Sequence, residues 1–381
     1  MSRVAVSEKI IDWALDRSGL TLPDIEGKFP RLRQWIAGQS QPTLRQLESL
    51  AKLTLTPLGF FFLKEPPEER LPVPYFRTLG DEESYVPSPN LLETIHAMQQ
   101  RQAWLREFLV DQGQGMLPFV RSARSDEPPA LVGQRIRTAL ALDAGWAALQ
   151  TSWAEALRVL REAMEDAGIL LVVNSVVGNN THRKLDTDEF RGFVLMDEFA
   201  PLVFVNGADG RAAQMFTLAH ELAHVFFGSS AAFDLREMSP AKDPMEQACN
   251  RVAAEFLVPE KEIRRRWPSI EDYTERFQSI AREFKVSEIV AARRVLDLGL
   301  IAKKEFLTFY HDYLHNERRK THPEGGDFYA NQNLRVGRRF TSAVVRAAKE
   351  GKLLYSEAYR LTGLYGKTFD RYAAHLGIGG A

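Results

Sequence analysis

The chain has 381 residues, 45% of them apolar and 10% aromatic, enough for two or three domains with cores of their own. A net charge of −1 gives no overall electrostatic pull toward nucleic acid, and no run of about 18 uncharged apolar residues marks a membrane span. The single cysteine, Cys249, excludes an internal disulfide, and the N-terminus mixes both charge signs where a secretory signal would have an apolar core; a soluble cytoplasmic protein is the expectation.

Residues 1–63 read as short helices, because SEKIIDWALDRSG, FPRLRQWIAG and TLRQLESLAKLT space their apolar residues helically. Gly38 and Pro42 break the pattern, and Thr43 is a natural N-cap for the helix after it. The proline-rich run from Pro57 to Pro74 predicts an extended connector and a domain boundary near residue 72. Long amphipathic helices follow over 91–112 and 143–167. Three strand-like runs come next, at 168–174, 190–197 and 201–206. Helices are then predicted over 211–227, ended by Gly228, over 244–257, stopped by Pro259, as a pair within 270–300, and through a basic tail, 334–378.

The helix at 211–227 contains FTLAHELAHVFFG, which sets His220 and His224 four residues apart. On a helix these share a face, so both imidazoles can bind one ion, and Glu221 is placed to act as general base. A chance HExxH on a core helix is the alternative. A catalytic zinc commonly takes three protein ligands and keeps one position open. In DPMEQACNRVAAEFLVP two acids compete for the third place, Glu246 and Glu255. They are nine residues apart, a rotation of about 900° or half a turn net, so they point to opposite faces. Glu246, which shares its face with Asn250, is the better placed; an ordinary first-turn glutamate is its alternative.

FTLAHELAHVFFG followed by ExxCNxxAAEFLVP resembles the ImmA/IrrE metallopeptidases, and the likeness runs on through AREFKVSEIVAARRVLDLGLI. Arg211 stands near the place of that family's arginine. Cys249 and Val252 replace its usual alanine and phenylalanine. The resemblance implies Zn²⁺ held by His220, His224 and Glu246, with Glu221 as base, and a protein substrate such as a transcriptional repressor. The implied fold is α+β. A gluzincin-like, mostly helical core with a small antiparallel sheet (73–310) carries a helix-turn-helix-like segment at 270–300. An all-α domain (1–72) precedes it and a helical basic extension (311–381) follows.

LRQWIAGQSQPTLRQLESLAKLTLTPLGFFFL resembles the Cro/repressor helix-turn-helix proteins through Trp35, Gly38, Pro42 and Thr43. Lys28, Arg31, Arg33 and Arg45 carry positive charge with no acid from 27 to 47, a patch suited to DNA phosphates. The preceding LTLPDIEGKFP departs from the family's smooth helix, so dimerisation or substrate docking is the competing role. The basic runs 315–322 and 334–352 read first as solvated helix faces. Two functions remain: a zinc endopeptidase coupled to a DNA-binding module, or a DNA-binding regulator or antitoxin on a non-proteolytic scaffold. Expected partners are a repressor or toxin and DNA, with a homodimer a further expectation.

Overall fold

The computed structural model describes residues 3–69, 75–76, 87–229, 231–233, 243–270, 275–317 and 328–378. The chain divides into two compact units, Met1–Pro72 with Gly80–His96, and Val73–Leu79 with Ala97–Ala381.

In the first unit, α1 (Glu8–Ser18), α2 (Leu22–Glu26), α3 (Leu32–Ile36) and α4 (Leu44–Leu53) enclose Ile10, Ile11, Leu32, Trp35, Leu47, Leu50 and Phe61. Gly19 ends α1 in the left-handed region (φ 65°), where a side chain would be strained. Thr43 and Gln46 form the capping box that starts α4. The segment expected as an extended connector opens instead with a 3₁₀ helix at Leu58–Phe62 that buries Phe61. Burial of the single Phe61 ring accompanies this turn despite the prolines around it. Residues 63–69 carry no helix or strand, as a connector would, and 70–74 lie outside the described residues.

The second unit holds a sheet wrapped by helices. Its strands are β1 (Tyr75–Phe76), β2 (Leu170–Asn174), β5 (Gly192–Leu195), β6 (Leu202–Asn206) and β7 (Ala231–Phe233), in the order β1-β7-β5-β6-β2; β3 (Val176–Val177) and β4 (Asn180–Lys184) form a separate hairpin. The expected antiparallel sheet is mixed. β2 runs parallel to β6, β1 parallel to β7, and β5 antiparallel to β6 and β7. LLVVN and LVFVN are buried at every position, the unbroken apolar signature of strands covered on both faces.

The helices of this unit are α5 (Pro89–Asp111, which belongs to it from Ala97 on), α6 (Pro129–Ala139), α7 (Trp153–Asp166), α8 (Arg211–Phe227), α9 (Pro244–Leu257), α10 (Glu260–Arg266), α11 (Arg276–Phe284), α12 (Glu288–Asp297) and α13 (Lys303–Glu317), then α14 (Phe328–Val336), α15 (Arg338–Lys349), α16 (Tyr355–Thr362) and α17 (Lys367–His375). The helix expected over 143–167 starts only at Trp153. Ser152 caps it by accepting from the Glu155 N–H, and 143–152 is a run of turns that buries Trp146 and Ala147. Helix α6 went unread in the sequence; paired prolines fix its start. Helix α8 packs on β5 and β6 and against α7 and α9. Arg101 of α5 is buried and donates to the carbonyls of Leu361 (2.9 Å) and Arg335 (3.0 Å), at the ends of α16 and α14. Burial pushes its guanidinium down to about 10. Beyond Glu317 the basic run 315–322 lies outside the described residues. Among the described residues no helix is long and apolar enough to cross a membrane.

Candidate metal centre

Helix α8 is apolar almost throughout, and every residue from Gln214 to Phe226 is buried. A helix buried on all sides can keep polar groups only where they meet partners or serve a site. His220, Glu221 and His224 are fully buried on it. The helix ends at Gly228 in the left-handed region (φ 78°), which donates its N–H to the His224 carbonyl at 2.8 Å. The turn brings Ser229 Oγ to 2.8 Å from His224 Nδ1. Opposite stands α9, started by Asp243, whose side chain accepts from the N–H groups of Met245 (2.7 Å) and Glu246 (3.2 Å). This cap sets Glu246 in the first turn, and Asn250 follows one turn later on the same face.

His220 Nε2, His224 Nε2 and the Glu246 carboxylate converge. The two nitrogens are 3.1 Å apart, and Glu246 Oε2 and Oε1 lie 3.0 and 3.1 Å from His220 and His224 respectively. Ligand atoms on a tetrahedron around one zinc at about 2.0–2.1 Å are separated by about 3.3 Å, so the spacing suits a shared ion. The outer nitrogens support this. His220 Nδ1 is 3.0 Å from Asn250 Oδ1, which can only accept, so Nδ1 carries the hydrogen and Nε2 presents a lone pair. The His220 lone pair, the His224 ring edge and the Glu246 carboxylate then meet at one point. Despite the short distances, the Glu246 oxygens find no hydrogen bond of good geometry. A divalent cation at that point would meet all three groups.

Protonation points the same way. Burial lowers the His220 pKa, favouring neutral imidazole against the opposing pull of Glu246. Burial alone would raise Glu246, but the close approach of the His220 and His224 rings outweighs it and brings its pKa down to about 2. Neutral imidazole and ionised carboxylate are the ligating forms. Glu221 is the reverse case. Its two oxygens are buried without hydrogen-bond partners, and burial, then the Glu246 charge, raises its pKa well above the usual range. β5 comes close here: a Cβ on Gly192 would stand 3.0 Å from Glu221 Oε1 and 2.7 Å from Thr217 Cγ2. A glycine inside a strand pattern is the sequence signal for such an approach, and it went unread.

Glu255 is elsewhere. It pairs with Arg294, and its Oε2 accepts from the Glu260 N–H at 3.1 Å. The structure brings in two groups that the sequence did not single out as site residues. One is Ser229; the other is Cys249, whose Sγ clusters with the ligand atoms of His220 and His224 within 4.8 Å. Glu246 is the nearer third donor at 3.0–3.1 Å, and we take it as the primary one.

In the first unit the expected basic patch is partly neutralised. Arg33 pairs with Glu26, a residue just outside the acid-free window. Among the described residues Lys28, Arg31 and Arg45 have no acidic partner, and they line one cavity of about 660 Å³ with Trp35, Thr43 and Gln46. The helix expected to enter a groove, α3, has five residues, and two of them, Leu32 and Trp35, are buried.

Residues 164–296 match the family model of the IrrE N-terminal-like domain (Peptidase_M78), a span that contains every group of the metal centre named above. Residues 336–375 match a domain of unknown function, DUF8813. Neither span reaches the N-terminal unit. No curated protein matches the chain. The match supports kinship with ImmA/IrrE proteins and a protease-related, metal-dependent activity.

Proposed function

We propose that the chain is a zinc endopeptidase that cuts a protein regulator, with a transcriptional repressor the foremost substrate. One observation carries the reading: three buried donors, His220, His224 and Glu246, face one point, beside a buried Glu221 whose oxygens have no hydrogen-bond partner. Zinc, when bound, supplies a Lewis acid that polarises a peptide carbonyl and makes water more acidic. His220 and His224 hold the ion as neutral imidazoles, fixed by Asn250 and Ser229. Glu246 supplies the negative ligand. Glu221, its basicity raised by burial and then by the Glu246 charge, accepts the proton of the attacking water at a carboxylate oxygen and returns it to the leaving nitrogen. Glu221→Gln keeps the shape but not the acceptor. Cleavage of the partner protein should fall on the order of 10²–10⁴-fold, or more, while metal content per chain stays that of wild type. Undiminished promoter regulation by that variant would hand the function to the non-proteolytic reading.

A second reading concerns the N-terminal unit, which we propose holds duplex DNA by its phosphates. The favouring observation is the trio Lys28, Arg31 and Arg45, which have no acidic partner among the described residues. Arg33 contributes less, since Glu26 occupies it. With so short an α3, base reading is weak and phosphate contact dominates. Each neutralising substitution in the trio should lower the slope of log K against log salt by about 0.9. An unchanged slope in Lys28→Ala, Arg31→Ala and Arg45→Ala would leave a docking role.

A further inference from the structure

The metal centre has one donor more than the three proposed ligands. Cys249 follows Glu246 by three residues on α9, so both project from the same side of that helix. It is completely buried, and its Sγ lies within 4.8 Å of the ligand atoms of both His220 and His224. The space it faces is independently marked as a ligand site: the Glu246 carboxylate is buried, aims between the two imidazoles and lacks a hydrogen-bond partner. A thiolate on tetrahedral zinc, at about 2.3 Å from the ion, stands about 3.6 Å from a nitrogen ligand. Sulfur therefore needs to close by at most about 1.2 Å, which a side-chain rotation with slight movement of the helix supplies.

We propose that Cys249 is a reserve ligand of this metal, exchanging with the Glu246 carboxylate at the third position. The inference rests on the metal reading given above. In the exchange the metal–oxygen bond to Glu246 breaks, a metal–sulfur bond forms, and the thiol proton passes to the freed carboxylate. No oxidant or outside base is needed. The carboxylate form has two nitrogens and an oxygen around the ion; the thiolate form has two nitrogens and a sulfur. The softer set favours zinc, cobalt and cadmium over magnesium or manganese. The exchange thus gives the site a second binding state without enlarging it.

The test uses the full chain loaded with cobalt(II), whose thiolate complexes show near-ultraviolet charge-transfer absorption. Glu246→Gln should retain cobalt and show this band. Cys249→Ala should bind cobalt without it. The double variant should bind on the order of 100-fold more weakly than either single one. If Glu246→Gln binds cobalt with no band, or loses cobalt to the same degree as the double variant, the reserve role is wrong. Should wild type and Cys249→Ala both fail to bind cobalt, the metal reading itself falls and takes this inference with it. If Glu246→Gln does not fold, wild type is compared with Cys249→Ala under excess cadmium(II), the softer ion. Thiolate-to-cadmium absorption in wild type alone supports the exchange, and identical spectra overturn it.

Discussion

Helix α9 carries two buried acids, Glu246 near its start and Glu255 near its end, and the two are kept in different ways. Glu255 is paired with Arg294 and accepts a backbone N–H from Glu260. Beside it Arg137 donates to the carbonyls of Glu255 and Phe256, at 3.2 and 3.1 Å, so the cations there are also matched. Glu246 faces two ring nitrogens and no arginine or lysine among the described residues. Burial alone does not separate them, since both are nearly inaccessible. What separates them is whether their hydrogen-bonding capacity is met by the protein. A buried acid fully matched by its own chain serves the fold; one left open serves a ligand.

The strongest way to break this contrast is at the matched end. Arg294→Ala leaves a carboxylate buried without its cation and should cost about 3–5 kcal/mol of stability. Thermal unfolding reads the loss, and metal bound per folded chain should not change. A variant as stable as wild type would show that the Glu255 end is no more committed to the fold than the other. At the open end, Asn250→Ala frees the His220 ring that it orients. Metal affinity should drop about 10–100-fold, with the unfolding temperature of the metal-free chain nearly constant. If the two readouts trade places, the assignment of the ends is reversed.

A smaller effect sharpens the comparison through pH. The folded-state pKa of Glu221 is raised, by burial first and the Glu246 charge second, so the metal-free fold holds a proton that the unfolded chain releases. That contribution is fully present below the unfolded pKa of about 4.5 and is lost as pH rises through the raised value, by at most about 1.4 kcal/mol per pH unit. Urea midpoints of chelator-treated wild type should fall more steeply between pH 5 and 7 than those of Glu221→Gln. Parallel lines would mean that Glu221 is already ionised without metal.

Much of this contrast could be read before the structure. Spacing of four brings His220 and His224 together on any helix, and nine residues turn Glu255 away from Glu246 on any straight one. The limits of α8 and α9 follow from Gly228, Pro244 and Pro259, residues whose backbone restrictions act locally. What stayed hidden depends on which elements meet. Glu26 lies one residue outside the basic window, yet the short turn between α2 and α3 lets it reach Arg33. Ser229 joins His224 only through the turn at Gly228. Cys249 reads in the sequence as a packing change, because its neighbours across the helix interface are 25 and 29 residues away. The strand directions were missed for a different reason: an antiparallel sheet was expected, and the unbroken apolar runs of β2 and β6 were their own evidence for a parallel pair.

Arg101 bears on what a shortened gene could encode. Its guanidinium is held at the ends of α14 and α16 by the carbonyls of Arg335 and Leu361. A premature stop codon anywhere between α13 and α16 removes at least one acceptor and leaves a cation from α5 facing apolar surroundings, including the ring of Phe340 where that survives. A stop codon there, though far past the metal-binding motif, is expected to remove an anchor of α5 as well as the residues it deletes. Within this chain the last helices are not an appendage that selection could trim without also replacing an arginine encoded more than two hundred codons upstream.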